Sequence, residues 1–586
     1  MAADEGIGSI LVVDCGAVMT KAVFLDRVDG MYRFVASGEA PTRCGSSGTD
    51  VAEAVRRAAA RIAGVTRRQI FDEDGALISP AASNGRGVDA FTATVSAGEP
   101  LRVLVSGLVG DLSVASARRA AMGTYSLVEV IPNGDQGRVP THEERVRAIL
   151  VSDPDTVCLA GGTDGGAERP VLQSVRAATL ACSMMERDRR PILLYAGNTS
   201  LRREVAAIVG EEAELRVVDN VRPTLEHERI HDAQRELQRL FKQDKMDTLP
   251  GMGALTNWSP VPPTPTAEAF GRVIQYLWHL GEPNRGILGI DVGGANTTVA
   301  AMFREQLTLT VNGGMGVAFG ADRLLKDQGI DAIARWIPET VPTHEIRATL
   351  ANKRMHPASI PQVQVELWTE QAMTCAAVRA TLEMARPGWS PGSAQPYANL
   401  TPLFDTILLS GASLSRAPQS GQAALVVLNA VQPIGVTTLV LDTYGLAPTL
   451  GGIATIKPLA VVEAMDTGAF TNLATAVSPV GTGANPGDTV LSVTVSYDDG
   501  SELDAEVAYG TLEALPLPLG RQAVLELRPS RGFDVGLGGP GKGGKLRVSG
   551  GSAGLIVDAR GRPLSLLEEP DRPHEGMRRW LYDIGG

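Results

Sequence analysis

The chain has 586 residues, of which 44% are apolar and 20% charged, with a formal net charge of −12. That length is too great for one core and divides into three or four domains, and the composition is that of a folded protein rather than a disordered or fibrous one. An acidic balance with no basic stripe and few aromatic residues excludes nucleic acid as a general partner, and no apolar run reaches the ~18 residues that a membrane helix needs.

The first elements are three strands expected at 10–13, 20–25 and 32–37, with Asp29-Gly30 as a turn. Between the first two, Asp14-Cys15-Gly16-Ala17-Val18-Met19-Thr20-Lys21 places a carboxylate at a strand end, then a tight glycine turn, then a hydroxyl and a cation. A helix follows at 49–63, capped by Thr49-Asp50. From about residue 100 strands alternate with helices: strands at 102–106, 126–131, 156–160, 192–195 and 215–218, helices at 113–122, 171–186 and 201–209. This rhythm predicts a doubly wound parallel sheet, a domain inserted over 96–245. Pro260-Val261-Pro262-Pro263-Thr264-Pro265 then leads to a helix at 267–280.

At 287–300 the hairpin pattern returns as Asp291-Val292-Gly293-Gly294-Ala295-Asn296-Thr297-Thr298, followed by Asn312-Gly313-Gly314. A long helix at 363–386 precedes a strand at 406–409, which enters the small-residue turn Ser410-Gly411-Ala412-Ser413; a further strand is expected at 438–441. After about 480 short alternating runs with glycine turns predict an all-β C-terminal domain over 483–586, with strands at 489–497, 502–509, 523–527, 545–548 and 555–557. The remaining segments, 1–95 and 246–482, form two lobes, each carrying one hairpin.

Two such hairpins suit a metal-bound polyphosphate. Gly16, Gly293 and Gly294 let phosphate approach backbone amides, Asp14 and Asp291 are carboxylates able to hold hydrated magnesium, and Lys21 balances phosphate charge. A single Asp-x-Gly is a weak signal, since any buried strand can end that way; its second occurrence is what gives it weight. The turn at Gly411, Ala412 and Ser413 lets a flat adenosine lie against the backbone. Two imitations are set aside. His227-Glu228-Arg229-Ile230-His231 has zinc-protease spacing, but the charged residues after it fit an amphipathic surface helix. Gly536-Leu537-Gly538-Gly539-Pro540-Gly541-Lys542-Gly543 mimics a P-loop but leads into a strand, without a helix N-terminus to receive phosphate. In the inserted domain, Gly162-Thr163-Asp164-Gly165-Gly166 and Gly197-Asn198 follow parallel strands, where open α/β sheets bind ligands. They are a candidate ligand or partner loop, or simply two turns that need glycine.

Together these segments resemble the glutamate mutase L (MutL-like) family. The resemblance is carried by Gly107-Leu108-Val109-Gly110-Asp111-Leu112, Ala160–Gly166, Tyr195–Asn198, Asp219-Asn220-Val221-Arg222-Pro223, Pro263-Thr264-Pro265 and Asp291–Thr298, with Arg560-Gly561-Arg562-Pro563 in the tail. It implies an actin-like ATPase (ribonuclease H-like) fold, ATP and Mg2+ as ligands, and an adenosylcobalamin-dependent mutase subunit as partner, which the protein would serve as a reactivating chaperone. On that reading Asp14 and Asp291 hold the metal; Gly16, Thr20, Lys21, Gly293, Gly294, Thr297, Gly313 and Gly314 surround the phosphates; Gly411, Ala412 and Ser413 flank the adenosine. This sequence departs from the family pattern at Ala17 and Val18, where Ser and Thr are usual, at Thr298, where Asp is usual, and at Ala412 in place of glycine. Lost hydroxyls and a lost carboxylate point to slow or absent hydrolysis, with binding through backbone amides retained. A small-molecule kinase and a scaffold without turnover remain alternatives on the same fold. Cys15, Cys44, Cys158, Cys182 and Cys375 lack metal spacing, and the acidic start is no signal peptide; the expected location is the cytoplasm.

Overall fold

The computed structural model describes residues 6–42, 50–131, 140–564 and 573–586. They divide into two compact units, one of residues 98–249 with 309–313, the other of the rest of the chain.

The larger unit contains both hairpins. Its first lobe is a five-stranded sheet in the spatial order Met31–Pro41, Met19–Val28, Ser9–Cys15, Ala90–Val95, Thr264–Pro265. The second strand runs antiparallel to its neighbours, and the last two are parallel to the first. The helix Val51–Thr66 covers this sheet. Asp50 caps it by accepting from the Glu53 amide at 3.0 Å, and Val51, Val55, Ala58 and Ile62 recur at helical spacing on its buried side; Thr49 lies outside the described residues.

The second lobe repeats the order. The hairpin Gly286–Val292 and Asn296–Phe303 is antiparallel, Phe404–Ser410 lies parallel on its other side, and Gly435–Leu441 lies parallel beyond that. The sheet then continues. Thr471–Ser478 pairs antiparallel with Gly435–Leu441, and Leu555–Asp558 pairs parallel with Thr471–Ser478. This last strand differs from the expectation of a separate β domain. It is buried at every position, and an apolar strand wet on neither face needs cover on both sides, which a sheet interior supplies. The strands that do form the C-terminal sheet, Glu502–Ala508, Thr489–Tyr497, Gln522–Pro529 and Gly544–Ser549 in spatial order, alternate buried and accessible positions along much of their length.

A terminal helix, Pro573–Asp583, was not expected from the sequence. Its Met577 and Trp580 join the second lobe's core with Leu428, Ile556 and Ile584. Beside it Arg560 is fully buried, forking onto Asp558 at 2.8 Å through two nitrogens, donating to Asn429 at 2.7 Å, and lying 4.5 Å over the Trp580 ring.

The smaller unit is a parallel sheet in the spatial order Ser126–Val130, Leu101–Ser106, Thr156–Leu159, Ile192–Tyr195, Leu215–Val217. Numbered along the chain this is 2-1-3-4-5, one of the two common doubly wound orders. Its core joins Leu104, Val157 and Leu193 to Val175 and Ala178 of the helix Arg169–Ser183. No described helix is long and apolar enough to cross a membrane.

Candidate functional site

The two hairpins share one construction. In the first, Asp14 stands opposite Lys21 in the strand register; in the second, Asp291 stands opposite Thr298. Each turn closes by one bond, from the Gly16 amide to the Met19 carbonyl at 3.0 Å and from the Gly293 amide to the Asn296 carbonyl at 2.9 Å. A Cβ on Gly16 would sit 2.9 Å from that carbonyl, which explains the glycine.

The hairpin tips meet. A Cβ on Gly294 would lie 2.5 Å from Val18 Cγ2 and 3.3 Å from Ala318 Cβ. The turn's carbonyls are taken up by the following segment, with the Gly314 amide on Ala295 O at 3.0 Å, Val317 on Gly293 O at 3.1 Å and Ala318 on Gly294 O at 2.9 Å. Gly314 has a φ of +79°.

Asp14 Oδ1 accepts from the hydroxyls of Thr94 and Thr266, each at 2.7 Å. Burial still dominates and raises its carboxyl above the ordinary value, against those two bonds and the Lys21 charge. Asp291 is raised too, to about 7, first by burial and then by repulsion from Asp14 and Asp442. The third carboxylate, Asp442, follows the strand Gly435–Leu441. It accepts from the Leu446 amide at 2.6 Å, the Ala447 amide at 2.9 Å and the Ser410 hydroxyl at 2.9 Å, yet burial raises it too. Three acidic groups thus depend on one another's charge, without converging into a chelating cluster: no three His, Cys, Asp or Glu side chains among the described residues could hold an ion. A cation here needs oxygens from a ligand or from water to complete its shell.

The remaining expected residues divide. Lys21 Nζ donates to the Tyr444 carbonyl at 2.8 Å and pairs with Glu39 at 3.2 Å. Gly411, at φ +106°, lies so close to Val292 that a Cβ would meet its carbonyl at 2.2 Å, and Ala412–Ser415 form a helical turn. Ser413 Oγ is buried and has no hydrogen-bond partner. Thr20 is buried with its hydroxyl 3.0 Å from that of Thr42, and Thr297 donates to the Met315 carbonyl at 2.6 Å, so both hydroxyls are engaged by protein. Gly313 belongs to the smaller unit, where a Cβ would meet the Ser126 carbonyl at 2.2 Å. Asp442, Thr94 and Thr266 escape sequence reasoning, since each is one polar residue outside any motif.

In the smaller unit the glycine loop is a closed hydrogen-bonded knot. Asp164 Oδ1 accepts from the Thr199 amide at 3.0 Å and Asn220 Nδ2 at 2.9 Å, and Asn198 Oδ1 accepts from the Gly165 amide at 3.0 Å. Gly162 offers its carbonyl to Asn220 at 2.9 Å, Gly166 closes on Thr163 at 2.9 Å, and Gly197 is packed against the Gly161 carbonyl. Residues 227–230 are not helical; the helix starts at His231, and Glu228 is paired with Arg119 and Arg222. The glycine run at 536–543 is a loop between strands Phe533–Asp534 and Gly544–Ser549.

Two lobes of repeated strand order, each presenting an Asp-x-Gly hairpin to the other, define an actin-like ATPase fold. The comparisons with known proteins give the family. The model described as "MutL protein" matches residues 10–468, and the chain belongs to that family. It is 25% identical over 307 residues to Protein MutL of Clostridium tetanomorphum, covering 49% of this chain and 63% of that protein, so the match spans less than two thirds of the relative's length. Solved structures that resemble it include a nucleotide-free acetone carboxylase, 11% identical with a TM-score of 0.31 over 88% of this chain and 82% of that one. Another is xylulose kinase from Bifidobacterium adolescentis, 12% identical with a TM-score of 0.26 over 78% of this chain and 93% of that one. Both are too distant to add to the strand order.

Proposed function

We propose that the chain binds Mg2+·ATP between its two lobes, hydrolyses it slowly, and serves as a reactivating chaperone for an adenosylcobalamin-dependent mutase of the glutamate mutase kind. The observation that carries the nucleotide reading is the pair of opposed hairpins whose carboxylates, Asp14 and Asp291, are both raised by burial. A divalent cation relieves such a pair, and two carboxylates completed by water and phosphate oxygens make an ordinary Mg2+ shell. Asp14 and Asp291 would hold the hydrated metal, which when bound screens the polyphosphate charge. Gly16, Lys21, Gly293 and Gly294 would line the phosphates. Gly411, Ala412 and Ser413 would flank the adenosine, with the unpartnered Ser413 hydroxyl free to bond it.

Slow turnover follows from the second hairpin. Thr298 stands opposite Asp291, so no carboxylate is offered there to orient water. The mutase partner rests on family membership. Calorimetric titration with Mg2+·ATP tests the first part: wild type should bind, and Asp14→Ala and Asp291→Ala should not. Absence of binding by folded wild type would sink the nucleotide reading. For the partner, ATP-dependent release of damaged cobalamin from a mutase of the same organism should require this chain; release at the same rate without it would dismiss the role. The engaged Thr20 and Thr297 hydroxyls favour a second reading, a scaffold without turnover, which binding without hydrolysis or partner response would support.

A further inference from the structure

One carboxylate in the first lobe holds two cations, one from each lobe. Glu39, near the end of the strand Met31–Pro41, stands opposite Lys21 in the register and pairs with it at 3.2 Å. Its other oxygen pairs with Arg416, the residue that directly follows the Ala412–Ser415 turn of the second lobe. Lys21 reaches across as well, to the Tyr444 carbonyl at 2.8 Å, and the Tyr444 ring meets Phe34 with centroids 5.1 Å apart. Burial works to raise the Glu39 carboxyl, but Arg416 and Lys21 outweigh it and hold it below its usual range, so the group stays ionised.

We propose that the Glu39–Arg416 pair is a latch across the cleft that sets how long a nucleoside polyphosphate stays bound. The proposal rests on the nucleotide reading above. Lys21 adjoins the phosphate hairpin, and Arg416 adjoins the turn assigned to the nucleoside. One carboxylate therefore ties together the two elements that would grip opposite ends of the same ligand. Parting the lobes breaks this pair and the Lys21–Tyr444 bond together. Ligand cannot leave a closed cleft, so the energy of the pair enters the dissociation rate more than the association rate. Arg416 is about half exposed, at 53%, and Glu39 less so, at 23%. That places the effect between an exposed pair and a buried charge-assisted bond, roughly a three- to tenfold change in rate.

The test uses the full-length protein and an ATP analogue carrying a fluorescent N-methylanthraniloyl group, chased with excess ATP. Glu39→Gln and Arg416→Gln should each release the analogue roughly three to ten times faster than wild type. The double variant should release it no faster than the quicker single variant, because both changes remove the same bond. Release by Arg416→Gln at the wild-type rate, or effects that multiply in the double variant, would overturn the latch. If wild type binds no analogue, the nucleotide reading fails by itself, and the latch is read without ligand by amide hydrogen exchange. Faster exchange at residues 411–416 and 442–446 in Arg416→Gln would support it, and unchanged exchange would overturn it.

Discussion

Replacing Asp291 by asparagine separates the electrostatic cost of the site from its shape. In the fold this carboxyl keeps its proton up to about pH 7, because of burial first and of Asp14 and Asp442 next; its ordinary value is 3.8. Between those two values the folded chain binds more protons than the unfolded chain. Stability therefore falls as pH rises from about 4 to about 7 and is level above that. A separation of about three units corresponds to about 4 kcal/mol at 1.36 kcal/mol per unit. Because Asp14 and Asp442 titrate against the same group, the share removed with Asp291 alone is roughly 2–4 kcal/mol. Asn fills the same volume and has no proton to lose. All six tryptophans, Trp258, Trp278, Trp336, Trp368, Trp389 and Trp580, lie in the larger unit, so selectively excited tryptophan fluorescence during urea unfolding follows that unit alone. Between about pH 4.5 and 8, without metal or nucleotide, wild type should lose roughly 2–4 kcal/mol more than Asp291→Asn. Parallel pH profiles for the two proteins would refute the reasoning.

Gly294→Ala should wedge the hairpin tips apart, since its Cβ would press within 2.5 Å of Val18 Cγ2; Mg2+·ATP affinity should fall about tenfold, in line with the cost of overpacking, and Val18→Ala in the same chain should restore it. Arg560→Ala leaves Asp558 buried with Arg562 as its remaining cation and should cost about 3–5 kcal/mol, read as an earlier urea midpoint in tryptophan fluorescence; an unmoved midpoint would mean that the pair stabilises nothing. Cys15, Cys158, Cys182 and Cys375 are all buried, and burial raises each thiol. Native protein at pH 8 should therefore react with Ellman's reagent at no more than one of its five cysteines.

What could be read from sequence was local. The Asp-x-Gly hairpins were legible because a strand, a turn and a strand lie within fifteen residues, and Gly16 and Gly293 answer to a carbonyl three residues on. The helix at Val51–Thr66 was legible from its cap and its apolar spacing. The spatial order of the parallel strands in the smaller unit was not, because crossovers decide which strands become neighbours. The destination of Leu555–Asp558 was hidden for a related reason: a short apolar run says that both faces are covered, without saying by what. Within the site, Thr266 reaches Asp14 across 252 residues and Asp442 also acts on groups remote in sequence; the proline run before one and the strand before the other do not say that either side chain meets these carboxylates. Residues named from the sequence can also have partners it does not show: the Thr20 and Thr297 hydroxyls are engaged with Thr42 and the Met315 carbonyl.

The second lobe's sheet is discontinuous in sequence: it opens with Gly286–Val292 and its interior is completed by Leu555–Asp558. A ribosome adding about 5–20 residues per second needs tens of seconds to cover that interval. From its own synthesis until Leu555–Asp558 is added, roughly 4–15 seconds at that rate, the Thr471–Ser478 strand has a naked apolar edge. The smaller unit, apart from residues 309–313, is synthesised before the second hairpin is reached. The nascent protein is thus asymmetric in its vulnerability: the sheet of its second lobe waits on a strand near the end of the described chain, and during synthesis it is this lobe that most needs shielding from other nascent chains.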